Sequence, residues 1–165
     1  MAKLKGIYIE DDVNNIEVIK LLFEFEDIII VSLDELPDKV EDIYPLVMRN
    51  EPDFLIIDHE LNKKVGYTGI EALREIRRHD RTIYAALLTN FPLEDFKEEF
   101  GEYDNEISKR ELNSGKKMKE IVSKISRACE LRKDNQLLEM IEMRSEIEDD
   151  KLKELRQIKK RLLKE

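Results

Sequence analysis

A three-layer αβα domain built on a parallel sheet is the fold this sequence predicts, and three observations predict it. Short apolar runs bounded by polar or turn residues recur in the first part of the chain: GIYIE (6–10), DIIIVSL (27–33), PDFLIID (52–58) and TIYAALLT (82–89). The segments between them carry apolar residues at helical spacing. The runs are continuous rather than alternating, which marks strands covered on both faces, and strand alternating with helix marks right-handed crossovers in one sheet.

The elements follow in order. Ile16, Ile19, Leu22 and Phe23 share one face after the first strand. Val40, Ile43, Tyr44 and Val47 share another after the second, and Ile70, Leu73 and Ile76 a third, in a helix opened by Gly69. A fifth strand, NEIS (105–108), is weak by itself and follows from the regular alternation. Ser114 is placed to cap the last helix, and from there to Glu165 the chain has no Pro and, after Gly115, no Gly to stop it. Fifty residues of helix would extend about 75 Å.

Charge divides the chain. Residues 130–165 hold ten acidic and ten basic residues, so the net charge of -9 lies wholly in residues 1–129, where 28 acids face 19 bases. Every Gly, Pro and aromatic residue also precedes position 130. Two parts are expected: a globular domain over 1–129 and a charged helical or coiled-coil extension over 130–165. An acidic globular part argues against nucleic-acid binding, and 36 charge-balanced residues without aromatics cannot form a helix-turn-helix core. The single cysteine, Cys129, excludes a disulfide framework and a thiolate zinc site and suits a reducing compartment. No apolar run approaches the ~20 residues of a membrane span, and the N-terminus has no signal-peptide core, so a cytoplasmic protein with no membrane contact is expected.

In such a fold ligands bind beyond the carboxyl ends of the strands. The residues there are Glu10-Asp11-Asp12, Asp58, Thr89-Asn90 and Ser108-Lys109. Carboxylates gathered at one rim repel unless their pKa values rise or a cation sits between them. Hard oxygen donors without His or Cys suit Mg2+. His59 reads as a bystander and Lys63-Lys64 as a solvated loop. Cys129, Met118, Met140 and Met143 read as packing or seam residues.

In these residues the chain resembles the receiver domains of bacterial two-component response regulators. The acidic pair closing Ile7-Tyr8-Ile9-Glu10-Asp11-Asp12, the aspartate closing Pro52-Asp53-Phe54-Leu55-Ile56-Ile57-Asp58, Thr89 after the fourth strand and Lys109 after the fifth fall in the family's order over residues 4–127. The resemblance implies a flavodoxin-like five-stranded sheet in the order 2-1-3-4-5, with Asp58 as phosphoacceptor from a histidine kinase or phosphotransfer protein. It further implies Mg2+ held by Asp11, Asp58 and the backbone carbonyl of Glu60, with Glu10 beside it or acting through water. Thr89, the Asn90 amide and Lys109 would bind the phosphoryl oxygens. Beyond phosphorylation of itself and its reversal, no enzyme activity is implied.

Several positions depart from the family pattern. Ten residues (HELNKKVGYT) separate Asp58 from Gly69, a longer loop than usual; Arg110 stands where proline normally follows the lysine; and Glu106 stands where an aromatic residue reports phosphorylation, with Tyr103 three positions further back. Asn90 is bulkier than the usual small residue. These departures support a rival, a pseudo-receiver scaffold that keeps the fold without phosphorylation. A remoter rival is a Toprim-like metal-dependent enzyme built on Glu10 and Asp58-x-Glu60, without the glycine wanted after Glu10 or a basic surface.

The extension accepts a heptad register with Leu131, Leu138, Ser145, Leu152 and Lys159 at one core position and Asp134, Ile141, Glu148, Leu155 and Leu162 at the other. Ser145 and Glu148 interrupt two good patches, and Ile147 suggests a local register shift. A homodimer through 130–165 is expected.

Overall fold

Five parallel strands in the order β2-β1-β3-β4-β5 form the sheet of the computed structural model, which describes residues 2–61, 64–90 and 103–163. The strands are β1 (Lys5–Ile9), β2 (Ile29–Ser32), β3 (Phe54–Asp58), β4 (Tyr84–Thr89) and β5 (Asn105–Ser108). Four α-helices lie among the described residues: α1 (Val13–Glu24), α2 (Ile43–Met48), α3 (Gly69–His79) and α4 (Gly115–Leu162). This is the flavodoxin-like order, and β3 at its centre is buried at every residue, as its unbroken apolar run requires.

Period-two alternation divides the core between the two faces of the sheet. Ile7, Ile9, Leu55 and Ile57 pack with Ile43 and Val47 of α2 and Ile70, Leu73 and Ile76 of α3. Tyr8, Phe54 and Ile56 face the other way, with Ile16, Ile19 and Phe23 of α1 and Met118, Ile121, Ile125 and Cys129 of α4. The second helical segment begins as a 3-10 turn over Val40–Asp42 and becomes α-helical only at Ile43. Pro45, in the first turn of α2, lacks only an N–H that would be unpaired there anyway. Cys129 lies in this core, and its thiol donates to the Asp53 carbonyl at 3.5 Å.

Local signals set the helix starts. Asp12 caps α1 by accepting the Asn14 N–H at 2.9 Å. Thr68 and Glu71 form a reciprocal capping box on α3, and Ser114 accepts the Lys117 N–H at 3.5 Å at the start of α4. Gly69 is required for contact: a Cβ there would meet the backbone carbonyl of Asp58. Because that obstacle is main chain, it cannot rotate away. Gly69→Ala is expected to destabilise the domain by about 2–3 kcal/mol, the upper part of the overpacking range, read as a fall in the urea midpoint. An unchanged midpoint would show that α3 can retreat from β3 at no cost.

By its internal contacts the chain separates into the units Met1–Cys129 and Glu130–Glu165. Within the second, Leu131, Leu138, Ile141, Leu152, Leu155 and Leu162 are all exposed. No helix among the described residues is long and apolar enough to cross a membrane.

Candidate phosphoacceptor site

Four strands deliver the site. β1 and β3 are neighbours, pairing Tyr8 with Ile56 and Ile9 with Ile57, so the chain leaves β1 at Glu10 beside Asp58. On the other side of β3, Asp58 pairs with Leu88 of β4, which places Thr89 one residue beyond. Thr89 pairs with Ser108 of β5, and its carbonyl accepts the Lys109 N–H at 2.9 Å. The peptide bond between Lys109 and Arg110 is trans.

Asp58 is 1% exposed and carries a donor on each oxygen. Its Oδ1 accepts the Glu60 N–H at 2.8 Å, and its Oδ2 lies 2.5 Å from the Lys109 ammonium. The same ammonium stands 4.0 Å from Glu10 Oε2. A half-buried lysine thus faces two buried carboxylates, and its charge offsets their repulsion.

Glu10 is turned inward. Its Oε1 accepts the N–H groups of Asp11 at 2.7 Å and Asp12 at 3.1 Å, and its Oε2 accepts from Asn15 at 3.2 Å and from the Tyr8 hydroxyl at 3.1 Å. Both Glu10 oxygens therefore have protein donors and order the turn into α1. Asp12, grouped with the rim carboxylates in the sequence, is exposed and serves as the α1 cap instead.

Among the described residues, two polar atoms at the rim are buried without a partner: Asp11 Oδ2 and Thr89 Oγ1. Buried polar atoms in native proteins are nearly always satisfied, so these two atoms are available to an incoming group. Asn90 is exposed beside Thr89. Among the described residues, no group of three or more His, Cys, Asp or Glu side chains stands ready to hold a metal ion. Asp11, Asp58 and one main-chain carbonyl are nevertheless a donor set that fits Mg2+, which keeps several waters and takes only one or two carboxylates.

The β3–α3 loop reaches the rim on this side. The Lys64 ammonium donates to the Asp11 carbonyl at 2.8 Å, and the Tyr67 hydroxyl fastens the loop to the Pro37 carbonyl at 2.7 Å. Asn62 and Lys63 lie outside the described residues. A cavity of about 380 Å³ opens beside Glu10 and Asp11, edged by Leu33, Asp34, Leu36 and Lys64. Glu106 and Tyr103 are both partly buried, and Tyr103 packs against the core face that contains α2 and α3.

Tyr8 is the site residue that sequence reasoning missed. It is fully buried, and its hydroxyl also lies 3.3 Å from Asp58 Oδ2. The signal was available: residues two apart on a strand share a face, so Tyr8 and Glu10 had to lie side by side. Burial, followed by the charges of Asp58 and Glu10, pushes the phenol pKa far above its ordinary value, so the hydroxyl remains a donor.

The Glu10 carboxyl is also raised, chiefly by burial and next by Asp58, and Asp11 is raised by burial and by Glu10. A carboxyl whose folded-state pKa is raised binds its proton more tightly in the native state. That contribution is complete below the unfolded value of about 4.3 and is lost as pH rises through the folded value. The melting temperature is therefore expected to fall from mildly acidic toward neutral pH, less so in Glu10→Gln, and millimolar magnesium should flatten the fall. Equal pH profiles for the two proteins would contradict the linkage.

No family model matches the chain, and no curated protein matches it in sequence. Solved structures do match. The response regulator protein TrrA of Thermotoga maritima, in complex with Mg2+ and BeF, superposes with a TM-score of 0.58 at 22% identity over 74% of this chain and 98% of its own. A LuxR-family response regulator from Aurantimonas gives 0.60 at 23% identity, over 78% of this chain and 86% of its own. The receiver domain of a sensor histidine kinase from Pseudomonas aeruginosa PAO1, with a magnesium ion in its active-site cleft, gives 0.58 at 20% identity, over 78% of this chain and 98% of its own. Likeness at this identity concerns the fold, and the fold of this chain is that of the receiver domains.

Proposed function

We propose that the chain is a phosphoacceptor module for phosphorelay signalling, a receiver over 1–129 whose output passes through an extension over 130–165. The observation that carries this reading is the environment of Asp58, a buried carboxylate with Lys109 at 2.5 Å and the unpartnered hydroxyl of Thr89 on the adjoining strand. A nucleophilic carboxylate needs its charge offset before it can approach a phosphoryl group, and Lys109 supplies one positive charge.

In the reaction, an Asp58 oxygen attacks phosphorus in line, and the donor's bond to phosphorus breaks with its electron pair left on the donor. That donor is a phosphohistidine imidazole or the acetate of acetyl phosphate. Three groups receive the transferred oxygens: the Thr89 hydroxyl, the Asn90 N–H and the Lys109 ammonium. Asp11, Asp58 and the Glu60 carbonyl would hold Mg2+, with Glu10 acting through water. Bound there, the ion would neutralise charge shared by the carboxylates and the phosphoryl oxygens. Glu10 keeps Asp11 in place through the turn it orders.

Glu106 removes the aromatic reporter that the resemblance leads one to expect, so the readout belongs elsewhere. The exposed apolar positions of 130–165 suit a homodimer whose geometry carries the signal. Incubation with acetyl phosphate and magnesium tests the reading: the intact protein should gain one hydroxylamine-labile phosphoryl group. A chain that gains none under these conditions is the pseudo-receiver scaffold.

A further inference from the structure

The Tyr8 hydroxyl stands between two carboxylates, 3.1 Å from Glu10 Oε2 and 3.3 Å from Asp58 Oδ2. It has one proton to donate and so serves one acceptor at a time. The side chain is fully buried on a strand paired on both sides, so the oxygen cannot withdraw from either acceptor. Lys109 differs, since it is only half-buried and reaches Asp58 from the rim.

We propose that Tyr8 sets the lifetime of the phosphorylated state, its hydroxyl holding the charge that returns to Asp58 when the phosphoryl group leaves. The inference rests on the phosphoacceptor reading of Asp58. In hydrolysis, water attacks phosphorus and the bond from phosphorus to the Asp58 oxygen breaks. Its electron pair stays on the carboxylate, and the oxygen and both protons of the water end in inorganic phosphate. The transition state is loose, so the Asp58 carboxylate already carries most of its charge there. A hydrogen bond to an ionised acceptor is about twice as strong as one to a neutral acceptor. The phosphorylated side chain is a neutral acyl group, to which the Tyr8 hydroxyl donates only weakly. Glu10 is held independently by Asn15 and by the amides of Asp11 and Asp12, so as charge develops on Asp58 the Tyr8 hydrogen bond to it strengthens without leaving Glu10 unsatisfied. The attacking carboxylate is likewise still charged in the loose transition state for uptake, so Tyr8 accelerates loss while leaving uptake nearly unchanged.

Tyr8→Phe keeps the ring and removes only the oxygen. Label from acetyl phosphate is followed during uptake and again after the donor is removed, with the melting temperature as a control of the fold. Loss of label is expected to slow about five-fold, as the difference between a charged and a neutral hydrogen bond implies, with uptake within about two-fold of the wild type. A ring-fluorinated tyrosine placed at position 8 is a stronger donor of nearly the same shape, and it should shorten the lifetime instead. A folded Tyr8→Phe protein with wild-type decay, or with slower uptake and faster decay, overturns the inference alone. Should the phenylalanine variant not fold, an unchanged or longer lifetime with the fluorinated residue overturns it. A wild type that takes no label overturns the phosphoacceptor reading and the inference with it.

Discussion

Asp58→Asn is expected to reduce hydroxylamine-labile phosphorylation to background while leaving the fold intact. The substitution is nearly isosteric, and the partners of the carboxylate other than Lys109 keep an acceptor at hydrogen-bonding distance. The amide oxygen can accept the Glu60 N–H that Oδ1 accepts at 2.8 Å, and Tyr8 retains Glu10 as its acceptor at 3.1 Å. Lys109 loses its nearest partner but keeps Glu10, 4.0 Å away. One negative charge leaves a buried cluster of two carboxylates and one ammonium, which relieves repulsion between Glu10 and position 58 and offsets the lost ion pair. Stability should therefore change little, whereas the chemistry stops, because an amide nitrogen or oxygen at position 58 cannot form the acyl phosphate. Mass spectrometry of intact protein after exposure to acetyl phosphate distinguishes the outcomes. Label persisting at the wild-type level in Asp58→Asn would place the nucleophile on another residue.

What could be read from the sequence here depended on range. The strand cores were legible because a strand buried on both faces needs an unbroken apolar run, and PDFLIID has one; the sheet order came with the resemblance. Strand ends were less so: the run 27–33 contributes only Ile29–Ser32. The acidic and hydroxyl residues at the carboxyl ends were legible as a group, since strand topology brings successive strand ends to one rim. Their division of labour was not. Whether Asp12 faces the site or caps α1 is decided by the turn between β1 and α1, where the Asn14 N–H claims it. Whether Glu10 points to the rim or inward is decided by the amides of Asp11 and Asp12 and by Tyr8, groups that a one-dimensional pattern does not rank. The loop between Asp58 and Gly69 was visibly long, yet the hydrogen bond from Lys64 to the Asp11 carbonyl spans 53 positions in the chain.

The other large effect is expected in the extension, where Leu152→Asp together with Leu155→Asp should eliminate the dimer. In the single chain, Leu152 is 47% and Leu155 62% exposed, so neither is held by its own domain and both are available to a second copy. Burying a leucine contributes about 1.5–3 kcal/mol, and a symmetric dimer loses four of them. The loss, about 6–12 kcal/mol before the cost of burying the new charges, is comparable to the roughly 8 kcal/mol that holds a micromolar complex together. Ser145 and Glu148 interrupt the same seam, so association in the wild type should be modest, and Glu148→Leu should strengthen it. Glu148 also reports the seam. A parallel, in-register pair brings the two Glu148 side chains together, each 3.4 Å from Arg144 one turn back on its own helix. Protonating Glu148 by lowering the pH should then tighten the dimer. Sedimentation equilibrium of the wild type, the double aspartate variant and a chain ending at Cys129 decides the matter: a monomeric wild type at high micromolar concentration, or dimers that survive the truncation, would remove the coiled coil from the account.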